Sequence, residues 1–178
     1  MESKISRAKF QGTCVAVFGQ GVLLTGASGV GKTECALELV NRGHCLVSDD
    51  VVDVANEHSE LVARTVRNLS YHVHVRDIGI IDVEEIYGSE SVQAEVPLLL
   101  RVELVRPSGD EDVALGDEDM RCDILGVSLP DFKIRTFSSR NLALVIEIAV
   151  RNELARRRDQ SVSRNFANCQ LRLVISKD

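Results

Sequence analysis

Residues 20–50 have the sequence QGVLLTGASGVGKTECALELVNRGHCLVSDD. The apolar run that ends near Gly26 favours a strand, and CLVS favours a second, buried strand that ends in two aspartates. Between them, Gly43 is typical of a helix C-terminus. Four apolar residues before it recur at the spacing of one helix face: Ala36, Leu37, Leu39 and Val40. A strand, a turn, a helix and a strand in this order predict an α/β fold.

The turn in this segment, GASGVGKT, has the phosphate-loop pattern of Gly, four residues, Gly, Lys and Ser or Thr. Backbone N–H groups of such a loop surround phosphate oxygens, and the following helix adds its positive end. Lys32 can reach the β and γ phosphates, and the Thr33 hydroxyl can bind Mg²⁺. A chance match in a loop is the alternative, which the flanking strand and helix disfavour. The predicted nucleotide-binding residues are Gly26, Ala27, Ser28, Gly29, Val30, Gly31, Lys32 and Thr33.

Asp49 and Asp50 follow the second strand, at the edge where α/β sheets present ligand-binding groups. One carboxylate at this place can hold Mg²⁺, and a second can accept a proton from an attacking hydroxyl. The alternative is that the pair only caps a turn, as Asp commonly does. Because a phosphate loop precedes the pair, we favour the functional interpretation.

The rest of the chain predicts a mixed sheet and a C-terminal helix. Residues 13–26 favour a hairpin or two adjacent strands, and residues 83–88 a short helix. Residues 140–158 have helical spacing, with Ser138 or Ser139 available as the N-cap. Five further runs favour strands: 61–66, 72–75, 78–83, 97–105 and 124–137.

We expect a single domain over residues 1–178. Within it, the acidic, glycine-containing residues 107–123 predict a mobile loop, and residues 159–178 a C-terminal tail. The apolar end of that tail, residues 170–176, is compatible with a late strand or with packing against a neighbouring subunit.

Composition excludes several classes of protein. Apolar residues make up 44% and charged residues 27% of the chain, as in an ordinary soluble globule. The net charge of -6 argues against general binding to nucleic acid or to anionic membranes. Without a signal peptide or a long uncharged stretch, a cytoplasmic location is expected. The five cysteines are odd in number and have no pair at zinc-finger spacing, which disfavours a disulfide framework and a structural zinc site.

His72 and His74 alternate along a strand-like run and could face the same side, as a metal-binding pair would. No third ligand lies nearby in the sequence. Ordinary surface or strand positions are therefore the favoured interpretation.

Residues 25–50 resemble the catalytic domain of HPr kinase/phosphorylase, whose corresponding stretch has a Gly-Lys-Ser-Glu phosphate loop, an Arg-Gly-His turn and the same aspartate pair. Further segments resemble the family in order: RDIGIIDVEEIYG at 76–88, ILGVSLPDFKI at 124–134 and RNLALVIEIAVRNELARR at 140–157. The resemblance covers roughly residues 10–158 and is more specific than a phosphate loop alone.

This resemblance implies an ATP- and Mg²⁺-dependent kinase that phosphorylates a seryl hydroxyl of an HPr-type phosphocarrier protein, with phosphorolysis as the reverse reaction. Asp50 matches the family's proton acceptor and Thr33 its Mg²⁺-binding serine. The implied catalytic residues are Asp50, Lys32, Asp49 and Arg140, and the implied metal ligands are Thr33 and Asp49. The family is hexameric, and its full-length members carry an N-terminal domain that we do not expect in this chain.

Four positions depart from the family pattern. Gln11 stands where the family has a catalytic His, His74 where it has a second Mg²⁺ ligand, and Ala114 where it has a catalytic Arg. The loop at 135–140, used in dephosphorylation, keeps only Arg140. Phosphorolysis is therefore the least supported activity. Two alternatives stay open: a nucleotide-binding regulator without catalysis, and a kinase with another protein or a small hydroxyl compound as acceptor.

Overall fold

The computed structural model of the protein describes residues 6–66, 71–106, 120–137 and 141–175, with the side chains of the last helix described to residue 159. These residues form eleven strands, three α-helices and a 3₁₀ turn at Ser89–Ser91. The strands are β1 Ser6–Gln11, β2 Thr13–Val17, β3 Gln20–Gly26, β4 Cys45–Ser48, β5 Val51–Glu57, β6 Glu60–Thr65, β7 His72–Val75, β8 Gly79–Asp82, β9 Glu95–Val105, β10 Arg121–Ile124 and β11 Val127–Arg135. The helices are α1 Lys32–Asn41, α2 Val83–Tyr87 and α3 Leu142–Ile175.

The long strand β9 organises the main sheet. It runs parallel to β3 on one side. On its other side its first half pairs antiparallel with β6 and its second half pairs parallel with β11. The main order is β1-β5-β6-β9-β3-β2-β4, with β10 joined to β11, while β7 and β8 form a separate ribbon. The predicted α/β fold with a mixed sheet and a C-terminal helix is therefore confirmed.

Strands β2 and β3 form a hairpin whose two turn residues, Phe18 and Gly19, have positive φ angles of 51° and 73°. Such a turn follows the natural twist of the strands. Strand β2 also pairs antiparallel with β4, so it lies between β3 and β4, which run parallel to each other. The phosphate loop after β3 and the aspartates after β4 therefore come to the same edge of the sheet.

The sheet is buried on both faces because its central strands are apolar at successive positions. Val15, Val22 and Leu24 contact the cluster that includes Leu39 of α1 and Ile146 of α3. The alternate residues Cys14, Ala16 and Leu23 join a second cluster with Val52 and Leu61. Each buried aliphatic side chain contributes roughly 1.5–3 kcal/mol relative to exposure. The two clusters hold β2, β3 and β4 rigidly beneath the loops that follow them.

Helix α3 differs from the prediction at both ends. Asn141 is the N-cap, because its Oδ1 accepts a hydrogen bond of 2.9 Å from the Leu144 N–H, so the prediction of Ser138 or Ser139 is wrong. The helix continues to Ile175, so the alternative of a late strand is wrong for residues 170–175. Extending a formed helix adds a hydrogen bond per residue without a new nucleation cost.

No helix in the described ranges has both the length and the apolarity to cross a membrane.

The predicted mobile acidic loop is too long at its C-terminal end. Residues 107–119 of it lie outside the described residues, but Arg121–Ile124 is strand β10. It pairs with β11 through a turn at Leu125 and Gly126, where the Asp123 carboxylate accepts a hydrogen bond of 3.0 Å from the Gly126 N–H. The acidic residues before β10 favoured a loop, so the sequence did not predict this short strand and the turn that follows it.

Candidate active site

The phosphate loop leaves β3 at a point of very close backbone approach. A Cβ on Gly26, whose φ is 130°, would lie 2.3 Å from the carbonyl oxygen of Leu104 on β9. Only glycine fits there without moving one of the two strands. Further along, the buried side chain of Val30 anchors the loop to the core. The loop is thus held at both ends, while Ala27, Ser28 and Gly29 remain exposed.

Helix α1 begins directly after the loop, with Gly31 as its N-cap and no side-chain hydrogen bond to the cap. The first N–H groups of a helix have no intrahelical acceptor, and the helix dipole makes this end positive. The start of α1 therefore offers donors to an anion in the loop.

The Lys32 ammonium lies over this loop. Its Nζ donates hydrogen bonds of 3.0 Å each to the carbonyl oxygens of Gly26 and Ala27. This arrangement keeps the positive charge at the loop mouth, where phosphate oxygens would exchange with the carbonyls as acceptors.

Asp49 is held by hydroxyl groups from two other elements. Thr13 Oγ1 on β2 donates to Asp49 Oδ1 at 2.5 Å, and Thr33 Oγ1 on α1 donates to Oδ2 at 3.1 Å. Burial raises the pKa of Asp49, and the neighbouring negative charge of Asp50 adds to this, while the hydrogen bond from Thr13 acts in the opposite direction. A bound cation would relieve the cost of a buried carboxylate.

The Thr33 hydroxyl and the Asp49 carboxylate fit Mg²⁺, a hard cation that prefers oxygen ligands and is commonly held by one or two carboxylates and substrate phosphates. The two groups already touch, so one ion can reach both. Among the described residues, no three His, Cys, Asp or Glu side chains gather as a complete metal site. The arrangement therefore suits an ion shared with a phosphate ligand.

Asp50 has a left-handed backbone conformation, with φ of 62°. Its carbonyl oxygen accepts a hydrogen bond of 3.0 Å from the Gly12 N–H, which ties this turn to the end of β1. Non-glycine residues in this region cost about 1–3 kcal/mol, and such strain is concentrated at functional sites. The carboxylate of Asp50 is exposed and lines the cleft beside the phosphate loop.

These groups share one cleft of about 260 Å³. The structure thus brings together the predicted residues Lys32, Thr33, Asp49 and Asp50. The cleft is lined by Ser28, Gly29, Gly31, Lys32, Thr33, Glu34, Asp49, Asp50, His74 and Arg76.

One departure from the family pattern lies at this cleft, and a second lies on the strand that pairs with the residues after the aspartates. His74 of β7 is one of its lining residues. Gln11 is the last residue of β1 and pairs with Val51, directly after the aspartates. His72 lies on the same exposed side of β7 as His74, with its Nε2 3.7 Å from an oxygen of Asp82. Arg140 and Ala114 lie outside the described residues.

The sequence motifs do not identify two further residues of the site, Thr13 and Arg106. Arg106 Nη2 donates to the carbonyl oxygens of Ser28 at 3.3 Å and Gly29 at 3.0 Å. Arg106 comes directly after β9, whose C-terminal end lies beside that of β3 in the parallel pair. A residue just beyond 97–105 would have been a candidate, had the pairing of these two strands been predictable.

Comparisons with known proteins agree with this geometry. The HPr Serine kinase C-terminal domain family matches residues 3–170. Two proteins named HPr kinase/phosphorylase, from Burkholderia lata and Burkholderia cenocepacia, are 38% identical to the chain over 165 residues, or 92% of it. The chain spans 51% of the length of each of these relatives.

A solved structure, that of the Hpr(Ser) kinase/phosphatase from Coxiella burnetii, superposes with a TM-score of 0.79 at 30% identity. The match covers 89% of this chain and 98% of that one. The fold is therefore that of a phosphate-loop kinase of this kind. With the family match spanning nearly all of its residues, the chain belongs to the HPr serine kinase C-terminal domain family.

Proposed function

We propose that the protein is an ATP- and Mg²⁺-dependent kinase that transfers the γ-phosphoryl group to a seryl hydroxyl of an HPr-type phosphocarrier protein. The observation that carries this proposal is the meeting of Lys32, the Thr33–Asp49 pair and Asp50 in one cleft. Family membership and the names of the relatives support the acceptor.

In this proposal, the backbone N–H groups of residues 26–33 and the N-terminus of α1 bind the phosphates of ATP. Lys32 leaves the carbonyl oxygens of Gly26 and Ala27 and donates to the β and γ phosphates. Thr33 and Asp49 would hold Mg²⁺. When bound, Mg²⁺ neutralises charge on the phosphate oxygens.

Asp50 orients the acceptor. Its exposed carboxylate accepts the proton of the seryl hydroxyl as that oxygen attacks the γ phosphorus and the bond to the bridging oxygen of ADP breaks. Lys32 and the loop N–H groups donate to the oxygens on which charge increases. The left-handed turn at Asp50, fixed by Gly12, sets the direction of the carboxylate before the substrate arrives.

We propose that the reverse phosphorolysis is slow. An amide such as that of Gln11 can donate a hydrogen bond but exchanges no proton near neutral pH, unlike the imidazole that the family carries there. The forward reaction needs only the carboxylate of Asp50 as a base. We therefore expect phosphorylation of the carrier to be faster than phosphorolysis of the phosphorylated carrier.

Intact-mass analysis of an HPr-type carrier tests the proposal, after incubation with this protein, ATP and Mg²⁺. We expect a single added phosphoryl group, which disappears when Lys32→Ala or Asp50→Asn replaces the wild-type protein. ATP binding without transfer would point to a nucleotide-binding regulator. Transfer to a small hydroxyl compound instead would point to a different acceptor, and the phosphorylated products separate by size.

We also propose a cytoplasmic homo-oligomer, as the family resemblance implies a hexamer, with neither nucleic acid nor membrane as a partner. The net charge of -6 supports the last point, because binding to polyanions needs basic surface. Light scattering of the purified protein tests the assembly. A single monomer mass at all concentrations would contradict it.

A further inference from the structure

Two guanidinium groups converge on Gly29 of the phosphate loop. A Cβ on Gly29 would lie 3.3 Å from Arg106 Nη2 and 3.4 Å from Arg76 Nη2. Arg106 follows β9 and Arg76 follows β7, strands of two different sheets. The tertiary fold therefore brings the two arginines together, and no local sequence motif predicts that they meet.

Neither arginine forms an ion pair with the residues that the structure describes. The hydrogen bonds of Arg106 to Ser28 and Gly29 both come from Nη2, although a guanidinium has five N–H donors. Two like charges brought together raise the energy of the ligand-free protein unless an anion lies between them. The planar fork of arginine matches the oxygens of a phosphoryl group.

Lys32 and Arg106 donate hydrogen bonds to different carbonyl groups of the phosphate loop. Lys32 contacts the carbonyls of residues 26 and 27, and Arg106 contacts those of residues 28 and 29. The acidic residues that line the same cleft are Glu34, Asp49 and Asp50. Asp49 is engaged by Thr13 and Thr33. Among the described residues, neither arginine near Gly29 has a carboxylate partner, so the positive charge there can interact with an anionic ligand.

We propose that Arg76 and Arg106 form an anion clamp that holds the terminal phosphoryl group of the nucleotide beside Gly29. This inference rests on the proposed function and deepens it. During transfer, the bond from the γ phosphorus to the bridging oxygen of ADP breaks, the bond to the seryl oxygen forms, and Asp50 takes the seryl proton. The clamp stabilises the non-bridging oxygens throughout.

The clamp predicts that each arginine contributes more to the binding of ATP than to the binding of ADP. It holds the group that ATP has and ADP lacks, so it must favour ATP over ADP. Glycine suits position 29 because its φ is 69° and because a Cβ there would lie in tight contact with Arg106 Nη2 at 3.3 Å.

The experiment is a calorimetric titration of the whole protein with ATP and with ADP, both in Mg²⁺. The variants are Arg76→Ala, Arg106→Ala and Arg106→Lys. Arg121→Ala is the matched control, because Arg121 lies on β10 and donates to Ser128. Carrier phosphorylation is measured separately for each protein, and circular dichroism checks that each is folded.

We expect Arg76→Ala and Arg106→Ala each to weaken ATP binding about tenfold or more while ADP binding changes less than about twofold. The ATP affinity of Arg106→Lys should be intermediate, because lysine keeps the positive charge but lacks the planar guanidinium group with its paired donors. Arg121→Ala behaves as wild type. Unchanged ATP affinity in both alanine variants overturns the clamp, as do equal losses for ATP and ADP or a wild-type protein without ATP preference.

The two proposals fail in different ways. If the carrier is not phosphorylated but the ATP preference still depends on both arginines, the clamp stands and the proposed acceptor is wrong. If the carrier is phosphorylated as before by both alanine variants and their ATP affinity is unchanged, the kinase stands and the clamp is wrong.

Discussion

Thr33 and Asp49 meet through a hydrogen bond in which Thr33 Oγ1 donates to Asp49 Oδ2 at 3.1 Å. This contact joins the first turn of α1 to the residue after β4, so one Mg²⁺ ion can be held by both ends of the β3-α1-β4 unit. The hydroxyl of Thr13 holds the other oxygen of the same carboxylate from β2. Two hydroxyl donors thus orient the proposed metal ligand before any ion binds.

Removing the Thr33 hydroxyl should raise the Mg²⁺ requirement of the protein. For Thr33→Ala we expect the Mg²⁺ concentration for half-maximal ATP binding to rise about tenfold or more. Thr33→Ser keeps the hydroxyl but loses the methyl group, and its Mg²⁺ requirement should stay within about twofold of wild type. The comparison distinguishes the effect of the hydroxyl oxygen from that of the methyl group. Equal Mg²⁺ requirements for Thr33→Ala and wild type would exclude Thr33 as a ligand.

Gly26→Ala should destabilise the fold. The added Cβ would meet the Leu104 carbonyl oxygen at 2.3 Å, so β3 and β9 must separate, and we expect a loss of about 2–3 kcal/mol in the free energy of unfolding. Gly19→Ala is the control, because its φ is also positive but no atom lies within 4 Å of the new Cβ. It should cost only about 1–2 kcal/mol. Urea titrations that rank the two variants in the opposite order would refute the close-approach account.

The contacts between Glu147 of α3 and two residues just after α1 should make stability depend on pH. Glu147 accepts hydrogen bonds from Arg42 at 2.9 and 2.6 Å, and His44 Nε2 lies 3.0 Å from the same carboxylate. The Arg42 hydrogen bond, more than that of His44, lowers the pKa of Glu147 to about 2, although burial opposes the shift. The folded pKa lies below the unfolded one of about 4.3, so the stabilisation is present above that value and is lost as pH falls towards 2.

Glu147→Gln tests this dependence. We expect the variant to be less stable than wild type by about 1 kcal/mol near neutral pH, a modest figure because solvent reaches Arg42 and screens the pair. The difference should shrink as the pH falls from about 4 towards 2. Urea unfolding over this range measures it, and a difference that stays constant with pH would be inconsistent with a titrating Glu147.

Gln11→His should restore proton exchange beside Asp50. Gln11 precedes Gly12, whose N–H donates to the Asp50 carbonyl oxygen, so we expect an imidazole at position 11 to come near the proposed base. We expect phosphate-dependent removal of the phosphoryl group from a phosphorylated carrier to become about tenfold faster or more. Gln11→Asn changes side-chain length without adding a titratable group and should not accelerate it. A Gln11→His protein no faster than Gln11→Asn would show that other residues limit phosphorolysis.

The local parts of the fold were predictable from sequence. The phosphate loop, the strands at 72–75 and 97–105 and the helix over residues 142–158 depend on short-range patterns, which the chain carries clearly. The pairing of strands was not predictable, because β9 meets β3 and β11 through contacts far apart in sequence. A periodicity of two residues gives the faces of a strand but does not name its neighbour.

The same limit applies to the site. Lys32, Thr33, Asp49 and Asp50 lie next to recognisable motifs and were found. Thr13 is 36 positions from Asp49, and Arg106 is 77 positions from Gly29, so only the folded chain brings them together.

The most direct test of the account is a single-turnover comparison of wild type and Asp50→Asn, with ATP affinity measured on the same samples. We expect Asp50→Asn to bind ATP within about twofold of wild type but to phosphorylate the carrier roughly 10²–10⁴-fold more slowly, because the base is lost while the phosphate-binding loop is intact. Transfer at the wild-type rate by Asp50→Asn would contradict the account.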